Sequence, residues 1–255
     1  MHARNSHLTS TCARSHRIQL LPSLSSRFKD TIDVGPGSAG HVSQSLRIQP
    51  IIPVHLTQDW LLVSRVLVNA PLEGTEGSPA PAQTTGVGDI TGTFFFSPRR
   101  VGHVVWGIGP TVLMPTATRT AFGRGKWAIG PAVGVFTQLK SGAIGVVAHN
   151  KWSIAGDSTR TTVNQLALEL SASWNLADGW YLTAHPELDA NWSTHVGHRW
   201  TVPMGGGIGR VFEVGTQSFS GAVTVHRNAM SATSARWQIN LQLALLFPNK
   251  QIGQK

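Results

Sequence analysis

The 255-residue sequence predicts an all-β chain folded as a transmembrane, antiparallel, up-and-down β-barrel of about twelve strands. Three observations carry this prediction. Hydropathy alternates with a period of two through almost the whole chain, no stretch suits a membrane-spanning helix, and the nine tryptophans collect at strand ends. Composition agrees. Only 13% of the residues are charged, against about 25% in ordinary soluble domains, whose surfaces need charge for solvation. A single cysteine, Cys12, excludes a disulfide scaffold and a cysteine-based zinc site.

The period of two is clearest at the C-terminal end. Trp237, Ile239, Leu241, Leu243, Leu245 and Phe247 share one parity, and Gln238, Asn240, Gln242 and Ala244 the other. Successive side chains of a strand point to opposite faces, so these sets line opposite sides of a sheet. Segment 180–192 sets Trp180, Leu182, Ala184, Pro186, Leu188 and Trp192 against Tyr181, Thr183, His185, Glu187, Asp189 and Asn191. Segment 163–174 sets Leu166, Leu168, Leu170 and Trp174 against Gln165, Glu169, Ser171 and Ser173. Weaker alternation places Leu46, Ile48, Ile52 and Val54 opposite Arg47 and Gln49, and Trp127, Ile129, Val133 and Val135 opposite alanines and glycines.

Eleven strands follow: 44–54, 60–70, 88–97, 103–114, 127–137, 142–154, 163–175, 180–191, 200–211, 217–226 and 235–247. A twelfth around 27–34 is weakly patterned, but it makes the total even and puts both termini on one side. These strands are longer than the roughly 5–6 residues usual in globular sheets, and they suit a tilted bilayer crossing. Short connections at 55–59, 98–102, 138–141, 176–179 and 212–216 alternate with longer polar ones at 71–87, 115–126, 155–162, 192–199 and 227–234. Short periplasmic turns and long external loops are the normal arrangement of a bacterial barrel. Trp60, Trp106, Trp174 and Trp180 fall near the short-turn ends, and Trp127, Trp152, Trp192, Trp200 and Trp237 near the long-loop ends. Two such belts suit indole rings at the membrane–water interfaces. A soluble β-sandwich would instead carry Lys and Glu on its polar parity, where this chain has Gln, Asn, Ser, Thr and Gly.

The helical alternative fails on its own terms. The longest apolar stretch without charge, 101–118, contains Gly102, Gly107, Gly109, Pro110 and Pro115, which are incompatible with a helix interior. Pro50, Pro131 and Pro186 fall mid-strand, and each should mark a bulge or a locally broken ladder. The formal net charge of +9 does not form a basic stripe with interleaved aromatics, so no nucleic-acid partner is expected. Residues 1–26 read as an unstructured or mis-assigned N-terminal segment that lacks a recognisable signal peptide, 27–248 as the barrel and 249–255 as a tail.

Several stretches then resemble, in order, a known family. They are LRIQPIIPV (46–54), GDI (88–90), WGIGP (106–110), LMPTAT (113–118), GKWAIGP (125–131), WSIAGD (152–157), VNQ (163–165), WTVP (200–203) and LLFP (245–248). Together they resemble the bacterial outer-membrane β-barrel family of the meta-pathway of phenol degradation, whose members are often labelled transporters. The resemblance implies a barrel in the outer membrane of a Gram-negative bacterium, passing small, aromatic or hydrophobic solutes.

On this reading the polar parity lines a lumen, with Arg47, Gln49, Arg65, Asp89, Gln165, Glu169, His185, Glu187 and Asp189 as the residues of the transport pathway. No cofactor, metal or covalent chemistry is expected. The expected partners are membrane lipid, the solute and, through the C-terminal strand ending at Phe247, the outer-membrane assembly machinery. His185, Glu187 and Asp189 lie at i, i+2 and i+4, about 7 Å apart in successive steps. That spacing would also suit metal ligands or an acid–base pair, but a second ligand cluster is lacking. The run Gly205, Gly206, Gly207, Gly209 reads as accommodation of curvature or packing, not a phosphate loop, because strand pattern continues on both sides. Two alternatives differ in class. One is an outer-membrane enzyme using His195 or His198 beside Ser193, the other a plugged adhesion barrel recognising partners through 71–87 and 115–126.

Overall fold

The computed structural model describes residues 25–34, 42–73, 84–99, 102–194, 199–230 and 237–246. Their strands are β1 (Ser25–Val34), β2 (Val42–His55), β3 (Trp60–Glu73), β4 (Ile90–Pro98), β5 (Val104–Met114) and β6 (Lys126–Leu139). Then follow β7 (Gly142–Gly156), β8 (Asn164–Asn175), β9 in two pieces (Trp180–Ala184 and Glu187–Asn191), β10 (Trp200–Val214), β11 (Gln217–Met230) and β12 (Trp237–Leu246). A two-residue strand, Thr84–Thr85, adds to the end of β3. Every pairing is antiparallel between neighbours in sequence, and β1 pairs with both β2 and β12. The sheet therefore closes on itself as a twelve-stranded barrel without free edges. The weakly patterned segment at 27–34 supplies the closing strand. The expected segment 1–26 (except Ser25 and Ser26), the tail 249–255 and Phe247 lie outside the described residues.

Burial follows the two parities. On β6, Lys126, Ala128, Ala132 and Gly134 are buried, whereas Trp127, Ile129, Val133 and Val135 are exposed. On β12, Asn240 and Ala244 are buried, and Trp237, Leu241 and Leu243 are exposed. Large apolar side chains thus cover the outside and polar ones turn inward, the inverse of a soluble barrel. No helix among the described residues is long and apolar enough to cross a membrane; this fold crosses with strands. Each tryptophan belt contains a pair of touching rings. Trp60 and Trp106 meet edge-to-face at 6.4 Å on the short-turn side, and Trp192 and Trp200 at 5.6 Å on the long-loop side. The guanidinium of Arg210 lies 5.3 Å from the Trp180 ring centre and that of Arg227 5.9 Å from Trp237, one in each belt.

Pro50, Pro110 and Pro131 each interrupt a ladder. Pairing between β2 and β3 skips Gln49 and Pro50, and pairing between β6 and β7 skips Gly130 and Pro131. Pairing between β4 and β5 likewise skips Gly109 and Pro110. In all three places the register resumes unchanged, so the ladder is broken without an inserted residue. Pro186 lies in the gap that splits β9. True register shifts occur at Trp127/Ala128 and at Val202/Pro203, the second at a proline near the start of β10. Proline lacks the N–H that a ladder needs, and on the outer face its ring costs nothing in lipid.

The glycine run of β10 has a steric reason at Gly209. A Cβ there would run into the Tyr181 ring, which lies across it. The Tyr181 hydroxyl is 2.6 Å from that of Ser220 on β11.

Candidate solute pathway

The inner wall is organised in rows by the β7–β8–β9 register. Val147 stands beside Glu169 and Glu187, His149 beside Ala167 and Asp189, and Lys151 beside Gln165 and Asn191. From the first row to the third these run from mid-barrel toward the long loops. The neighbouring wall contributes Arg65 and Asn69 from β3, Thr93 from β4 and Thr111 from β5. The Thr93 and Thr111 hydroxyls share a hydrogen bond of 3.0 Å.

Among the described residues two ion pairs cross the interior. Arg65 Nη2 donates to both carboxylate oxygens of Glu169 at 2.7 and 2.6 Å, and Arg47 Nη1 donates to Glu187 Oε2 at 2.5 Å. Neither joins neighbouring strands. Arg65 on β3 faces Glu169 on β8 across four intervening strands, and so does Arg47 on β2 facing Glu187 on β9 around the other side. The two bonds therefore act as crossbars that divide the lumen between a β4–β7 side and a β10–β1 side. Both arginines are braced. Arg47 Nε donates to Asn69 Oδ1 at 3.2 Å, and the Gln49 amide oxygen accepts from the Arg65 guanidinium. Charge-assisted contacts of this kind are shorter and stronger than neutral ones.

A cavity of ≈ 610 Å³ occupies the long-loop half of the lumen. Arg47, Arg65, Asp89, Gln165, Glu169, Glu187 and Asp189, all expected in the pathway, line it. Gln49 is buried behind Arg65 and contributes by positioning it. His185 does not line the cavity; it falls in the break of β9, where the strand spacing is lost. Asp89 precedes β4 and acts chiefly as a clamp. Its carboxylate accepts the backbone N–H of Ala117 at 3.1 Å and of Arg124 at 2.5 Å, tying the loop before β4 to the loop after β5. Arg160 fastens the next loop to the same place, donating to the carbonyls of Thr120 (2.8 Å) and Gly123. Arg160 is itself set by a turn in which the Thr159 hydroxyl and N–H bond to the Asp157 carboxylate, holding it below the usual carboxylate range.

Among the ionisable cavity residues four were not foreseen: His149, Lys151, Arg124 and Arg160. The first two were within reach, because Trp152 on the outer parity obliges Lys151 and His149 to face inward. Arg124 and Arg160 come from loops, where no parity exists. Toward the short turns the lumen wall becomes apolar. Phe95, Ala132 and Val147 pack together with Val63 and Phe136, and a Cβ at Gly107 would crowd the Phe95 side chain. Among the described residues no group of three His, Cys, Asp or Glu side chains converges as a metal site would require. His195 and His198 lie outside the described residues.

No protein-family model and no curated protein sequence matches this chain. Solved structures do. The COG4313 outer membrane channel from Pseudomonas putida F1 is 14% identical, with 91% of this chain and 98% of that chain covered at a TM-score of 0.67. The KdgM porin in complex with disordered oligogalacturonate is 8% identical over 88% of this chain and 99% of that one, at a TM-score of 0.47. A Pseudomonas aeruginosa FadL homologue is 10% identical, with 88% of this chain and 89% of that chain covered at a TM-score of 0.41. The first of these likenesses establishes the fold: a twelve-stranded transmembrane β-barrel.

Proposed function

We propose that this chain is an outer-membrane channel of a Gram-negative bacterium, carrying a small solute down its gradient without a cofactor or covalent step. The observation that carries the reading is the cavity itself. A barrel with an apolar exterior encloses a polar, charge-lined space at its long-loop end, and the charges meet across the lumen instead of pairing along the wall. Charged rings and opposed charges are how pores select and orient what enters. The similarity to a structure described as an outer membrane channel supports this reading. The resemblance to the meta-pathway family adds the solute class, small molecules with aromatic or hydrophobic skeletons. The apolar zone around Phe95 and Phe136, below the polar cavity, suits such a skeleton.

Passage through the crossbars is the step to test. Reconstituted in liposomes, the protein should accelerate entry of mandelamide, a polar neutral aromatic probe, over protein-free vesicles. The double substitution Arg65→Gln with Glu169→Gln removes one crossbar without changing net charge and should speed entry further. Wild-type rates equal to those of empty vesicles both for mandelamide and for its carboxylate counterpart mandelate, with folded barrel confirmed by its shift on unboiled gels, would overturn the channel reading.

A further inference from the structure

The cations of the cavity outnumber the carboxylates that neutralise them. Arg47 and Arg65 are committed to Glu187 and Glu169. Asp89 is committed to backbone N–H groups, and Asp189 accepts from Gln165 at 3.4 Å. Lys151 and Arg124 line the same space, and neither side chain has a hydrogen-bond or ion-pair partner among the described residues. Lys151 is only 8% exposed, yet it lines the cavity. Beside it, one row deeper, His149 is also 8% exposed, and its Nδ1 has no partner. Asp189 lies one row from Lys151 but makes no direct bond to it, and a buried ammonium without a direct partner is costly; the natural complement of Lys151 and Arg124 is an anion arriving from the loop side.

We infer that Lys151 and Arg124 form a docking site for the carboxylate of an organic monoanion at the loop end of the lumen. This deepens the channel reading and rests on it for its place in transport. Leu67, Leu113 and Phe122 line the same cavity and accept the carbon skeleton. The two crossbars are neutral pairs, so Asp189, in the row below Lys151, leaves the deeper level with a net negative charge. A second carboxylate on the solute is therefore repelled, which restricts the class to monoanions. The solute enters carboxylate-first against Lys151 and leaves that contact to pass the crossbars.

Two measurements on the full chain separate this inference from the channel reading. The first is liposome flux of mandelate against the near-isosteric neutral mandelamide. Wild type should favour mandelate, Lys151→Gln should lower mandelate flux about tenfold, as expected for a lost charged hydrogen bond, and mandelamide flux should stay unchanged. Lys151→Arg should retain the preference. The second is equilibrium dialysis of mandelate with the detergent-solubilised barrel, which should show the same weakening in Lys151→Gln without any need for transport. Equal mandelate and mandelamide flux in wild type, or an equal loss of both in Lys151→Gln, overturns the carboxylate site while leaving the channel intact. Absent flux of both probes with binding that still depends on Lys151 overturns the channel and leaves the site. Binding of mandelate that is indifferent to Lys151→Gln overturns the site whatever the flux. The gel shift on boiling confirms that each variant is folded.

Discussion

Arg65 shows how much a single lumen residue is asked to hold. Its side chain is 9% exposed and its guanidinium takes both oxygens of Glu169, whose side chain is 24% exposed. Breaking a fully buried ion pair from one side costs about 3–5 kcal/mol, because a charge is left unpaired. Partial access of Glu169 to the watery cavity reduces that figure, and Glu169→Gln should destabilise the barrel by about 2 kcal/mol. Denaturant titration of the gel-shifted form is the check, and the double variant with Arg65→Gln should recover most of the loss. Asp89 makes a different prediction. With its two backbone contacts removed in Asp89→Ala, the loop around residues 115–125 should become a protease site in intact cells while the barrel core keeps its gel shift. Unchanged protease resistance would mean that the Arg160 contacts alone hold that loop.

Strand-level behaviour separates the two faces more sharply than any single contact. Leu241 is 45% exposed on β12 and Leu168 lies on the outward parity of β8. Arginine at either position, near the bilayer midplane, should cost about 2–4 kcal/mol and impair membrane assembly. Normal assembly of both variants would reverse the assignment of faces. Gly209→Ala tests the inner face of β10. The added methyl meets the Tyr181 ring and should destabilise by about 1–3 kcal/mol, read in the same denaturant titration. Combining it with Tyr181→Ala should remove most of that penalty, since the ring is what the methyl strikes. The prolines belong here too. Pro50, Pro131 and Pro186 were expected to bulge or break their strands. Pro186 lies in the gap that splits β9, and Pro50 and Pro131, like Pro110, break a ladder without bulging, because an outward ring can forgo a hydrogen bond without needing an extra residue beside it.

Closure makes a barrel out of these strands, and closure is also what makes the lumen. The hydropathy period, the alternation of short and long connections and the tryptophan belts are all properties of neighbouring residues, dictated by the pleat and by where a bilayer begins and ends. They were legible because lipid imposes the same demand on every strand. Inward orientation of Arg47, Glu169, Glu187 and Asp189 was legible for the same reason. Their partners were not. Arg65 and Glu169 are 104 residues apart and Arg47 and Glu187 are 140 apart, and such separations meet only after strand tilt and stagger are settled around the whole ring. The same holds for the loop residues Arg124 and Arg160, which reach the cavity because Asp89 and the carbonyls of Thr120 and Gly123 draw three loops together. Parity is a local consequence of backbone geometry and can be read one strand at a time. Contact across the lumen depends on the diameter and shear of the closed barrel, which no strand carries alone.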